Sequence, residues 1–154
     1  MINHLKAQSI VVAQAIYQVF QASYKVEAAI IEADNFPPLS RSVKDISRSK
    51  NVFYGYYDEG ELAGVIEVER LENRLDINSL VVSPEHFRKG IAGKLIEYVL
   101  TQFDYDEAVV ETATANKPAI QLYEKYGFVK FKQWVPDHGI TKTALTRRNN
   151  NFSE

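Results

Sequence analysis

Between Ser9 and about Ala33, apolar residues recur at mixed three- and four-residue steps, with Val12, Ile16, Val19 and Phe20 among them. That spacing predicts helix, broken near Ser23 into two. Phe36-Pro37-Pro38 closes the helical region, because the first proline restricts Phe36 and neither can donate a backbone hydrogen bond. A short helix is expected around Ser42 to Ser49. The pattern then becomes strand-like. Asn51 to Tyr57 and Glu61 to Arg70 predict two strands joined by Asp58-Glu59-Gly60, a hairpin turn with glycine available for positive φ. Asn73 to Val82 predicts a third.

From Gly90 to Phe103 the helical pattern returns, with Ile91, Leu95, Val99 and Phe103 on one stripe. A strand over Glu107 to Thr112, a helix over Lys117 to Tyr126, and strands over Phe128 to Val135 and Ile140 to Leu145 complete the pattern. Arg147 to Asn151 is polar and aperiodic, so residues 147–154 are expected to form a disordered tail after a single domain spanning 1–146. Helices, then antiparallel strands, then alternating strands and helices predict a mixed α/β domain around one central sheet.

Composition narrows the chemistry. The chain has 154 residues, enough for one core and too few for two. Its formal net charge of -2 gives no electrostatic reason to expect a nucleic-acid or anionic-membrane partner. No segment has the length of a membrane span or the layout of a signal peptide, so a cytoplasmic protein is expected. The absence of cysteine excludes disulfides, thiolate metal sites, redox pairs and any thiol nucleophile. His4, His86 and His138 lack the short spacings that place two ligands on one metal, so no metal is expected.

Two stretches carry candidate chemistry. In Leu80 through Leu95, a strand runs into a basic loop and then into a helix opened by small residues. The first N–H groups of a helix lack internal partners and favour negative charge, and Arg88 and Lys89 add cations. This makes the stretch a candidate pyrophosphate cradle. Read alone, the stretch describes an ordinary strand-to-helix turn better than a ligand site. It is neither a Walker loop, since Leu95 follows Gly93-Lys94, nor a dinucleotide fingerprint, since Gly90 and Gly93 lack the third glycine. In Asn116 through Phe128, Pro118 suits the first helical turn, Asn116 or Lys117 caps it, and Gly127 ends it. Periodicity by itself also allows Tyr123 to be a core aromatic.

Together, in this order and spacing, Val82-Ser83-Pro84 through Gly93 and Asn116 through Phe128 resemble the GCN5-related N-acetyltransferases. The resemblance covers about Asn51 to Leu145, and the N-terminal helices fit it too. It implies a mostly antiparallel central sheet, flanked by helices, in which one parallel strand pair splays apart. Acetyl-CoA would be the co-substrate. Its pantetheine would lie in the opening against Leu80, Val81 and Val82, and its pyrophosphate against Arg88, Lys89, Gly90, Ile91, Ala92 and Gly93. Asn116 would hold the pantetheine arm, Ala119 would leave it room, and Tyr123 would point its hydroxyl at the sulfur. Two departures stand out. Phe87 occupies the position where the family loop usually has Gln or Arg, and Asn78 replaces a frequent strand carboxylate.

The implied reaction is attack of a neutral amine on the thioester carbonyl, passing through an oxyanion and releasing CoA. It requires alignment, oxyanion stabilisation, removal of the amine proton and delivery of a proton to sulfur. Tyr123 suits the last task as general acid. Asn78 cannot act as a base, so the proton is expected to leave through water toward Asp76 or Glu67, although solvated edge carboxylates describe both better. Tyr24, Glu27, Phe36 and Tyr54 are candidates to line the acceptor site, and rim or core packing accounts for them as readily. The acceptor is a small-molecule amine or a protein amine, with polyamines, amino acids, antibiotics and protein N-termini all open. A homodimer is compatible with the pattern. The alternative function is an acyl-CoA sensor that binds without transferring.

Overall fold

The computed structural model describes residues 1–149. In chain order the elements are β1 (Ile2–Leu5), α1 (Ile10–Ile30), a 3-10 turn (Pro37–Ser40), α2 (Val43–Arg48), β2 (Val52–Asp58), β3 (Glu61–Leu71) and β4 (Arg74–Val82). A second 3-10 turn (Pro84–His86) leads to α3 (Ile91–Gln102), β5 (Glu107–Ala113), α4 (Lys117–Lys125), β6 (Val129–Trp134) and β7 (Lys142–Arg148). The strands form one seven-stranded sheet in the order β1-β2-β3-β4-β5-β7-β6. Every neighbouring pair is antiparallel except β4 and β5, which are parallel.

The helices bury their apolar stripes on opposite faces. Ala13, Ile16, Val19 and Phe20 of α1 and Ile46 of α2 pack with Phe53, Val65 and Val81 on one side. Ile91, Leu95, Ile96 and Val99 of α3 pack with Ile120, Tyr123, Ile66, Val68, Leu75 and Ile77 on the other. The expected hairpin is present: Asp58 pairs with Glu61, and both Glu59 and Gly60 have positive φ, as a two-residue turn of this twist requires.

Three expectations are corrected. The first helix is unbroken at Ser23. Phe20 and Tyr24 sit four residues apart with their rings edge-to-face, so the stripe continues through that point, and no glycine or proline interrupts it. The helix also stops before the prolines. Glu32 takes a left-handed φ of 55°, and the Ala33 and Glu32 N–H groups donate to the Ala28 and Ala29 carbonyls. That is a Schellman ending with glutamate in the usual glycine place. Finally, the expected tail begins too early. Arg147 and Arg148 continue β7, paired with Ala108 and Glu107, and the Asn149 N–H donates to the Asp106 carbonyl. Residues 150–154 lie outside the described residues. The short edge strand β1 has no clear alternation and is an addition to the sequence pattern.

Candidate active site

The feature that opens the sheet is a bulge at Asn78. Glu67 pairs with Ser79 and Val68 with Ile77, which leaves Asn78 without a partner on β3. A bulge bends its strand and ends regular pairing. The parallel ladder between β4 and β5 indeed runs from Arg74↔Glu107 only to Ile77↔Val110. Beyond it, Ser79 to Val82 keep β3 on one side, while Glu111 to Ala113 pair only with β7. A wedge opens between the two strands.

A cavity of about 420 Å³ occupies this wedge and the space beneath α1, a volume within the range of small-molecule sites. Tyr24 and Glu27 reach it from α1, Phe36 and Arg41 from the segment after it, and Asn78, Ser79 and Leu80 from β4. Glu111 to Ala113, Asn116, Ala119, Tyr123, His138 and Lys142 close the other wall. Three of the four acceptor-site candidates, Tyr24, Glu27 and Phe36, therefore line one cavity with Asn116, Ala119 and Tyr123. Tyr54 does not. Its ring packs on Tyr98 and Phe103 at 5.0 and 6.3 Å, in the core on the α3 face.

Tyr123 is positioned by α4, whose start is built as expected: Pro118 lies in the first turn and the Asn116 Oδ1 accepts from the Ala119 N–H at 3.2 Å. The ring is 5% exposed and packs edge-to-face on Phe128. Burial pushes the Tyr123 hydroxyl well above the usual tyrosine range, with Tyr24 and Glu27 adding to the shift. Burial likewise pushes Tyr24 up to about 12, against a hydrogen bond with Ser79 that lowers it. Glu27 is raised above the usual carboxylate range by burial, which outweighs the Asn116 amide and the Lys142 ammonium nearby.

Next to the wedge, the loop after β4 ends in Arg88 and Gly90, both with left-handed φ, of 66° and 75°. Gly90 is the N-cap of α3 and has no side chain to satisfy the helix start; the first bond there runs from the Lys94 N–H to the Gly90 carbonyl. The N–H groups of Ile91, Ala92 and Gly93 are thus left for an anion, which fits a pyrophosphate. The side chains have other tasks. Lys89 is tied to the Asp58 Oδ2 at 2.7 Å, so it anchors the loop to the β2–β3 hairpin instead of facing a phosphate. Gly93 is buried, and a Cβ there would overlap the Tyr126 hydroxyl; its smallness serves the packing of α3 on α4. The Val81 side chain belongs to the α1 core.

The two expected proton acceptors are both occupied. Glu67 is 1% exposed and does not line the cavity. Its oxygens accept from the Arg41 guanidinium at 2.7 and 2.9 Å, from Asn51 at 2.8 Å and from Ser79 at 2.8 Å. Burial pushes its pKa up, but these hydrogen bonds and the Arg41 charge outweigh burial and hold it below the usual range. Asp76 is paired with Arg74 at 2.7 and 3.0 Å and lines a smaller adjoining cavity of about 150 Å³. Arg41, Ser79, Glu111 and Lys142 were not singled out from the sequence. Lys142 and Glu111 meet at 3.1 Å only because β7 pairs with β5, which no local pattern encodes.

The family model described as an acetyltransferase (GNAT) domain matches residues 8–147. The chain belongs to this family. It is 40% identical over 131 residues to the UPF0157 protein YqkA of Bacillus subtilis, covering 84% of this chain and 38% of that protein. The chain thus spans well under half the length of this relative. It is 38% identical over 88 residues to a streptothricin acetyltransferase from Escherichia coli, covering 54% of this chain and 51% of that protein. Among solved structures, the PaiA N-acetyltransferase of Thermoplasma acidophilum in complex with coenzyme A superposes with a TM-score of 0.74 at 20% identity, over 97% of this chain and 99% of that one. Across the described residues, no helix is long and apolar enough to cross a membrane, and no group of three or more His, Asp or Glu side chains could hold a metal ion.

Proposed function

We propose that this domain transfers the acetyl group of acetyl-CoA to an amine by direct attack in a ternary complex. The carrying observation is the single cavity in which the open β4–β5 wedge meets Asn116, Tyr123 and the α1 face. The wedge supplies a strand edge for pantetheine, with Leu80 and Val82 as backbone partners and Ala119 beneath. The free N–H groups at the start of α3, with Arg88 alongside, take the pyrophosphate. The coenzyme A held by the PaiA relative and the acetyltransferase named among the matched proteins support this reading.

Tyr123 then lies where a hydroxyl can meet the leaving sulfur. Its raised pKa keeps it protonated at neutral pH and makes full proton transfer to a thiolate of pKa ~8.5 uphill. Hydrogen bonding to the developing thiolate is its main contribution, and the proton follows as CoA leaves. The test is acetyl-CoA-dependent release of CoA across a panel of polyamines, amino acids, aminoglycoside-type amines and peptide N-termini. Release with at least one class supports transfer; binding of acetyl-CoA with no release from any class supports the sensor instead.

A further inference from the structure

We propose that Glu27 receives the acceptor as an ammonium and takes its proton, which makes the acceptor a cationic amine. This rests on the acetyl-transfer reading above. The argument begins with the carboxylates around the site. Glu67 has both oxygens filled by Arg41, Asn51 and Ser79, and Asp76 is held by Arg74 outside the main cavity. Among the described residues, two carboxylates line the cavity itself, Glu27 and Glu111. Glu111 is paired with Lys142 at 3.1 Å. Among the described residues, Glu27 has no cation at ion-pair distance, so it is the wall carboxylate available to a charged ligand.

Its surroundings fit that task. Tyr24 is one turn back on the same helix, Tyr123 faces it from α4 and Lys142 from β7, and Arg41, Glu111 and His138 stand on the same cavity wall. Asn116 spends its carbonyl oxygen capping α4, so only its NH₂ remains to donate, and that amide lies beside Glu27. Burial raises Glu27 more than Asn116 and Lys142 lower it, and a carboxylate with a raised pKa is a stronger base.

The step balances. The ammonium gives one N–H proton to the Glu27 carboxylate, and the freed lone pair attacks the thioester carbon. The C–N bond forms, the C–S bond breaks, and the sulfur departs with the bond pair. The second proton of the nitrogen ends on sulfur by way of the Tyr123 hydroxyl, and Glu27 returns its proton to solvent.

The experiment compares wild type, Glu27→Gln and Glu27→Asp across pH, with a strongly basic alkylamine and a weakly basic alkoxyamine that is already neutral at the assay pH. Glu27→Gln is expected to lower kcat/KM for the alkylamine by ~10²–10⁴-fold near neutral pH, to move the acidic limb of its pH profile up toward the amine's own pKa, and to affect the alkoxyamine far less. Glu27→Asp should restore part of the alkylamine rate. An unchanged thermal shift with acetyl-CoA shows that the variants are folded. Equal losses for both amines with the acidic limb intact, or no loss at all, overturn the proposal while leaving acetyl transfer in place. A wild-type protein that releases no CoA with any amine overturns both.

Discussion

At the scale of single residues, Glu67 and Arg41 show how far a local pattern can mislead. Alternation along β3 assigns Glu67 to the same face as Glu69, and from that alone both pass for solvated carboxylates. The structure instead covers Glu67 with a guanidinium brought in by the chain between α1 and α2, 26 residues away in sequence. Removing one partner of a buried pair leaves the other charged and dry, so Arg41→Met is expected to cost about 3–5 kcal/mol of stability at pH 7. Glu67 has a depressed pKa when folded, so its contribution is complete above its unfolded value near ~4.3 and disappears as pH falls through the folded one. Urea titrations of wild type and Arg41→Met should therefore converge as the pH is taken toward 3. A gap that is constant over that range would mean that Arg41 acts through packing on Phe20 and Phe53 and not through charge. Tyr123 is the contrasting case, because its proposed role rests on a motif legible in the sequence and its neighbours were not legible there. Tyr123→Phe keeps the edge contact with Phe128 and is expected to lower kcat ~10²–10⁴-fold with acetyl-CoA affinity unchanged. Single-turnover and binding measurements on the same variant separate the two.

Elements were the most legible level, for a physical reason. A stripe such as Ile91, Leu95 and Val99, or an alternation such as that of β2, is imposed by burial on one face and needs no distant partner to be seen. What escaped were features decided between elements: the Asn78 bulge that opens the wedge, the fixing of the α3 loop, and the fit of α3 on α4. The last gives a direct test. A Cβ at position 93 collides with Tyr126, so Gly93→Ala should destabilise by about 1–3 kcal/mol as overpacking. Adding Tyr126→Phe removes the nearest colliding atom and should recover part of that loss; no recovery would place the fault in the backbone. The loop is held by His86, whose Nδ1 and Nε2 meet Asp58 at 3.0 Å and Glu61 at 3.1 Å. Its pKa is raised chiefly by the Glu61 hydrogen bond, with Asp58 adding to it against burial and Lys89. A raised histidine stabilises the folded loop fully below the unfolded pKa near ~6.5, and this contribution is lost as pH rises through the folded one. Amide exchange in residues 84–90, corrected for intrinsic pH dependence, should accelerate over that window in wild type and show no such step in His86→Asn.

For the whole molecule, the open wedge and the uncapped start of α3 are gaps in the protein's own hydrogen bonding, and a ligand that fills both should bind the folded chain alone. Mass action then fixes the size of the effect: CoA at a hundred times its dissociation constant adds ~2.7 kcal/mol to unfolding. The gap at α3 depends on backbone shape more than on space, because a Cβ on Gly90 would meet nothing within 4 Å while its φ of 75° belongs to the left-handed region. A β-branched residue is strained there and would turn the N–H groups away from a common focus. Gly90→Val is accordingly expected to weaken CoA binding far more than it lowers the melting temperature of the unliganded protein. Calorimetric titration of CoA into wild type and Gly90→Val, with melting curves of both unliganded proteins, decides it. Equal affinities in a folded variant would remove the start of α3 from the phosphate site and leave the β4–β5 wedge as the sole anchor for the cofactor.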